Sequence, residues 1–151
     1  MGTRADFYLG TGANAEWLGS IAYDGYRIHE AEEAWAAAEG RNADDKKACW
    51  AIKSATTAPA YRAAVESLLS LNDDATHPEQ GWPWPWEDSC TTDRSYCFDG
   101  EKTVPFAWGC PLQNEEDGNA DEPPKAEWPN MKDRQNVTFG SRSGVMIIKA
   151  A

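Results

Sequence analysis

Short apolar runs rich in aromatic and branched residues open the chain. Phe7-Tyr8-Leu9-Gly10 and Trp17-Leu18-Gly19-Ser20-Ile21-Ala22-Tyr23 read as two strands. Gly12, Ala13 and Asn14 mark the turn between them, and Asp24-Gly25 ends the second. The period then changes to a helical one. Ile28, Ala31 and Trp35 share one face of a helix expected over Ile28 to Ala38, with Gly40 as its stop. A second helix is expected from Ala43 to about Ser54. Asp44 and Asp45 lie in its first turn, and Ala48, Ala51 and Ile52 form its apolar side. The third has the clearest pattern: Thr57 as cap, Pro59 near the first turn, a stripe of Tyr61, Ala64, Val65, Leu68 and Leu69, and an end by Asn72.

Beyond Asp73 the chain is extended to Asp88. Thr91 to Phe98 and Thr103 to Cys110 then form a hairpin around Asp99-Gly100. Pro111 to Pro129 is acidic and polar, and reads as a flexible loop. Asn136 to Phe139 and Gly144 to Lys149 read as closing strands, the latter with a continuous apolar run suited to a central position. Strands at both ends with helices between predict a single α+β domain. Its expected form is a mostly antiparallel sheet of about six strands with about three helices on one face.

The Gln80-Gly-Trp-Pro-Trp-Pro-Trp86 run stands apart. Each proline drives the preceding tryptophan out of the α region, so Trp82 and Trp84 are extended. Alternate residues of an extended chain share a face, which lines up Trp82, Trp84 and Trp86. A polyproline II course would instead fan them around the axis. A pre-set row of indoles suits a binding platform, and it equally suits a lid over an apolar core. The sequence leaves both open.

Charge narrows the partners. The 151 residues include 25 acidic and 14 basic ones, a net charge of -11. Nucleic-acid binding normally leaves a basic footprint, and attraction to anionic lipid also needs one. An acidic surface suits a basic partner, such as a host protein that itself grips nucleic acid. No run has the length of a membrane span or of a signal peptide's apolar stretch, so a cytoplasmic location is expected.

The remaining chemistry is thin. Cys49, Cys90, Cys97 and Cys110 contain no Cys-x2-Cys pair, which argues against structural zinc. A three-residue hairpin loop, Asp99-Gly100-Glu101, would pair Phe98 with Lys102 and set Cys90 opposite Cys110. That register makes a cross-strand disulfide conceivable, although free thiols are expected in a reducing cytoplasm. His29 with Glu32 and Glu33, and His77 with Asp73, Asp74 and Glu79, are conceivable metal or acid–base clusters, each also readable as a solvated polar surface. Gly10-Thr-Gly-Ala-Asn-Ala lacks the spacing and the following helix of a dinucleotide loop. No catalytic residue, metal or cofactor is implied.

Gly2-Thr-Arg-Ala-Asp-Phe-Tyr, Glu16-Trp-Leu-Gly-Ser, Asp24-Gly-Tyr, the run Glu79 to Trp86, Asn136-Val-Thr and Ser143-Gly-Val-Met together resemble small uncharacterised proteins of proteobacterial phages and prophages. The resemblance spans most of the chain, leaving out about Arg27 to Ala55. It implies an accessory protein that binds a host protein, plausibly an acidic anti-defence inhibitor, and carries over no activity. On that reading Trp82, Trp84 and Trp86 are the expected anchors, with Glu87 and Asp88 as charged rim. Glu115, Glu116 and Asp117 would supply steering. Two alternatives differ in class: a nucleotide- or sugar-binding protein or enzyme using the tryptophan loop with His77, and a virion or assembly component.

Overall fold

The computed structural model describes residues 3–112 and 127–131. Strand β1 (Ala5–Leu9) is flanked by β2 (Glu16–Ile21) on one side and β3 (Arg94–Phe98) on the other. Then follow β4 (Thr103–Ala107) and the two-residue β5 (Cys110–Pro111). The sheet is mixed: β1 and β3 are parallel, and the other neighbours are antiparallel. Three of the four pairings are thus antiparallel, in keeping with the expected mostly antiparallel sheet, and the β1–β3 pair makes it mixed. The long helical connection between β2 and β3 is a crossover, which is what a parallel pairing requires. Among the described residues the sheet has five strands. The expected strands Asn136–Phe139 and Gly144–Lys149 lie outside them.

Central β1 is buried on both faces. Ala5 and Phe7 face the helices, where they meet Ile28, Ile52, Tyr61, Val65, Leu68 and Leu69. Tyr8, on the opposite face, meets Trp17, Trp82, Phe106, Trp128 and Met131. The helices therefore do cover one face as expected. The other face is closed by a second, aromatic core. Trp128, near the end of the expected flexible loop, and Met131, just beyond it, belong to it; residues 113–126 of that loop are outside the described set.

A bulge in β2 serves this second core. The β1–β2 register shifts between Phe7 and Tyr8, so that Phe7 pairs with Gly19 and Tyr8 with Trp17. Strict alternation would put Trp17 and Ser20 on opposite faces; the extra residue returns both to the same one. Trp17 Nε1 accordingly donates to Ser20 Oγ at 3.0 Å. Gly19 has φ of +138°, and a Cβ there would lie 2.5 Å from Leu69 Cδ1 and 2.8 Å from the Thr76 carbonyl oxygen.

The helices are α1 (Arg27–Glu30), α2 (Ala43–Lys53) and α3 (Ala58–Leu71). The helix expected over Ile28 to Ala38 is broken into α1 and a 3-10 turn, Glu33–Ala37, with Glu32 extended between them. Lys53 Nζ, reaching over from α2, donates to the His29 and Ala31 carbonyls, both at 2.8 Å. These are oxygens that a continuous helix would have used itself. Ala51 of α2 is exposed, and Cys49 takes the buried position assigned to it. In α3 the whole expected stripe is buried, and Thr57 Oγ1 accepts from Ala60 N at 3.2 Å.

The β3–β4 hairpin pairs Phe98 with Thr103, not with Lys102. Asp99 Oδ1 accepts from the backbone N–H groups of Glu101 and Lys102, which fixes a four-residue loop. Strand β4 ends at Ala107, and Trp108 and Gly109, with φ of 54° and 82°, turn the chain into β5. The register that would oppose Cys90 and Cys110 is therefore not formed, and no disulfide is present among the described residues.

Candidate functional site

The tryptophan–proline run crosses the sheet face opposite the helices. A 3-10 turn, Pro78–Gln80, leads into Gly81, whose φ of +91° redirects the chain onto the sheet. All three indoles pack toward the aromatic core, although the chain bends over residues 84–88 instead of running straight as the alternation requires. Their depths differ. Trp82 is only 6% exposed, meets Trp17 edge-on at 5.2 Å between ring centroids, and donates its Nε1 proton to the Trp86 carbonyl oxygen at 2.7 Å. Trp84 and Trp86 are half-buried and stacked on each other, with centroids 5.7 Å apart and planes 19° apart.

What fixes the Trp84 ring is a buried carboxylate. Asp6 of β1 is fully buried. Its Oδ1 accepts from Trp84 Nε1 at 2.7 Å and from Ser20 Oγ at 2.6 Å, and its Oδ2 accepts from Ser89 Oγ at 2.5 Å. The network continues to the buried Tyr8, whose hydroxyl is 2.8 Å from Ser89 Oγ. Separately, Trp86 Nε1 donates to Thr92 Oγ1 at 2.8 Å. Burial pushes the Asp6 carboxyl above its ordinary value, and hydrogen bonds from Ser20, Ser89, Trp84 and Thr92 pull it back. Through these hydrogen bonds Asp6 ties β2, the Trp84 indole and the Ser89 turn to one strand.

On the outer side Arg4 spans the pair. Its guanidinium carbon lies 5.7 Å from the Trp84 ring centre and 5.5 Å from that of Trp86. Asp93 Oδ2 accepts from Arg4 N at 2.9 Å and from Arg4 Nη1 at 3.5 Å. Of the expected charged rim, Glu87 is exposed and Asp88 half-buried, its Oδ1 accepting from Cys90 N at 2.9 Å. The expected anchors therefore divide: Trp82 is interior, while Trp84 and Trp86 reach the surface beside Glu87. Glu115, Glu116 and Asp117 lie outside the described residues. Arg4, Asp6, Ser20, Ser89 and Thr92 were not singled out as site residues by the sequence. The one available signal was an acidic residue directly before the apolar Phe7-Tyr8-Leu9 run.

The other candidate clusters come apart. Asp74 Oδ2 accepts from the backbone of Ala22 and Tyr23, both at 3.0 Å, and so anchors the end of β2. His77 and Glu79 line a cleft of about 490 Å3 with Glu16, Trp17, Arg62 and Glu66, where Arg62 and Glu16 form an ion pair at 2.8 Å. Among its described lining residues are none of Trp82, Trp84 and Trp86. His29 lies in α1 and Glu33 in the following 3-10 turn with Glu32 extended between them, and no group of three or more His, Cys, Asp or Glu among the described residues is arranged to hold a metal ion. Cys49 and Cys97 are buried in the two different cores, and burial pushes each thiol up to about 12. No helix among the described residues is long and apolar enough to cross a membrane.

Chemically, the site offers two stacked π faces held from beneath, a guanidinium across them and carboxylates at the edge. No protein-family model, curated protein or solved structure matches this chain.

Proposed function

We propose that this protein is a non-enzymatic binding module whose Trp84–Trp86 pair anchors a partner protein. One observation carries the reading: both rings are partly exposed, yet each indole N–H is engaged inward, on Asp6 and on Thr92. Aromatic anchors that are already immobile lose little conformational entropy on binding, and tryptophan is enriched at interface hot spots. The net charge of -11 favours a partner with a basic surface and a fast, salt-sensitive encounter. Together with the resemblance to phage and prophage proteins, this makes the proposed partner a host protein with a basic, nucleic-acid-binding face, and inhibition of that protein the proposed outcome.

The test is a tagged capture from bacterial lysate at low salt, read by mass spectrometry, with Trp86→Ala as the comparison. The reading expects one stoichiometric partner, released by salt and lost in the variant. A partner retained equally by Trp86→Ala would refute the site.

A further inference from the structure

The same surface shows what kind of group it takes. A cation site needs an exposed π surface and nearby carboxylates, and Trp84, Trp86 and Asp93 provide both. In this structure that space is taken by the protein's own Arg4, within 5.7 Å of both ring centres. The Arg4 side chain is weakly held. It is 44% exposed, and its ion pair to Asp93 spans 3.5 Å. Its backbone, by contrast, is secured: Arg4 N donates to Asp93, and Arg94 N donates to the Arg4 carbonyl at 3.0 Å. The guanidinium can therefore swing away without disturbing β1 or β3.

We infer that Arg4 is a resident occupant of an arginine-recognition site, and that an arginine side chain on a basic partner surface displaces it from the Trp84–Trp86 pair. The inference rests on the binding reading above and specifies its chemistry. Arginine fits better than lysine because a planar guanidinium can lie against an indole and also bridge a carboxylate, whereas an ammonium acts as a point charge.

The experiment titrates a blocked arginine hexapeptide, and a lysine hexapeptide as control, into the whole protein by calorimetry. The indole N–H resonances report the location of binding. Arg4→Ala removes the resident competitor, and Arg41→Ala removes the same charge from the turn before α2. The expected result is that Arg4→Ala tightens arginine-peptide binding by about two- to fivefold, the equivalent of one exposed cation–π contact. Arg41→Ala should not match it, and the Trp84 and Trp86 indoles should shift. Trp86→Leu, which keeps an apolar side chain, should abolish the preference for arginine over lysine. Equal effects of Arg4→Ala and Arg41→Ala, or a preference that survives Trp86→Leu, would overturn the inference. Should the lysate partner still require Trp86 in that event, the arginine site alone falls; should it not, the binding reading falls as well.

Discussion

Asp6 sets up a pH dependence opposite to that of most carboxylates. In the unfolded chain it titrates near 3.8, and in the folded protein burial holds it higher. Between those two values the folded state binds more protons than the unfolded one. The contribution of this group to stability is therefore complete below the unfolded value and is lost as pH rises through the folded value. By linkage the loss runs at about 1.4 kcal/mol per pH unit within that window and is flat above it. Asp6→Asn removes the titration while conserving shape. Its amide oxygen can accept from Trp84 and Ser20, and its amide nitrogen can donate to Ser89. The Ser89 proton would then turn to Tyr8, whose hydroxyl is already 2.8 Å away. Urea unfolding of both proteins, followed by circular dichroism from about pH 4 to about pH 8, measures the difference. The Asn variant should gain on the wild type by about 1.4 kcal/mol per pH unit until the curves run parallel. Curves that are parallel throughout, or a difference that moves toward the wild type with rising pH, would refute the role given to Asp6.

Trp82→Ala should cost about 3–5 kcal/mol in denaturant unfolding, since it empties a buried aromatic site, whereas Trp86→Ala should cost clearly less and leave the near-ultraviolet spectrum of the core intact. Gly19→Ala should destabilise by about 2 kcal/mol or more, because the new Cβ meets backbone oxygen as well as Leu69 at a positive φ. Brief alkylation near pH 8, read by mass spectrometry, should spare Cys49 and Cys97, both buried with thiols pushed up to about 12, until denaturant is added.

The parts of the fold that follow local rules were legible in the chain. The α3 stripe with its Thr57 cap and the bounds of α2 follow from helical period and capping chemistry. The misreadings have tertiary causes. Residues 28–38 keep a helical pattern, but Lys53, more than twenty positions away, takes the carbonyls that the helix would need. The β3–β4 loop has four residues where three were expected because the Asp99 side chain caps the backbone N–H groups of Glu101 and Lys102. Parallel pairing of β1 with β3 depends on where a long crossover lands, and hydrophobic pattern does not encode that.

The same limit applies to the site. The tryptophans are visible in the sequence, but the carboxylate that immobilises Trp84 is seventy-eight residues away, and its cross-strand partner Ser20 shares a face with Trp17 only because the strand bulges between them. A buried carboxylate is costly in a small core, and apolar replacement of such groups is often neutral or stabilising. Its presence beneath the half-buried Trp84 indole is accounted for if that ring's fixed orientation is what the protein uses.

The most direct test of that account is the affinity of the captured partner for wild type and for Trp86→Ala, compared by calorimetry under conditions where both proteins are folded. Loss of a hot-spot aromatic corresponds to about 2 kcal/mol or more, so binding should weaken roughly thirtyfold. An unchanged affinity in a folded Trp86→Ala protein would contradict the account and leave the tryptophan run as a cover for the sheet.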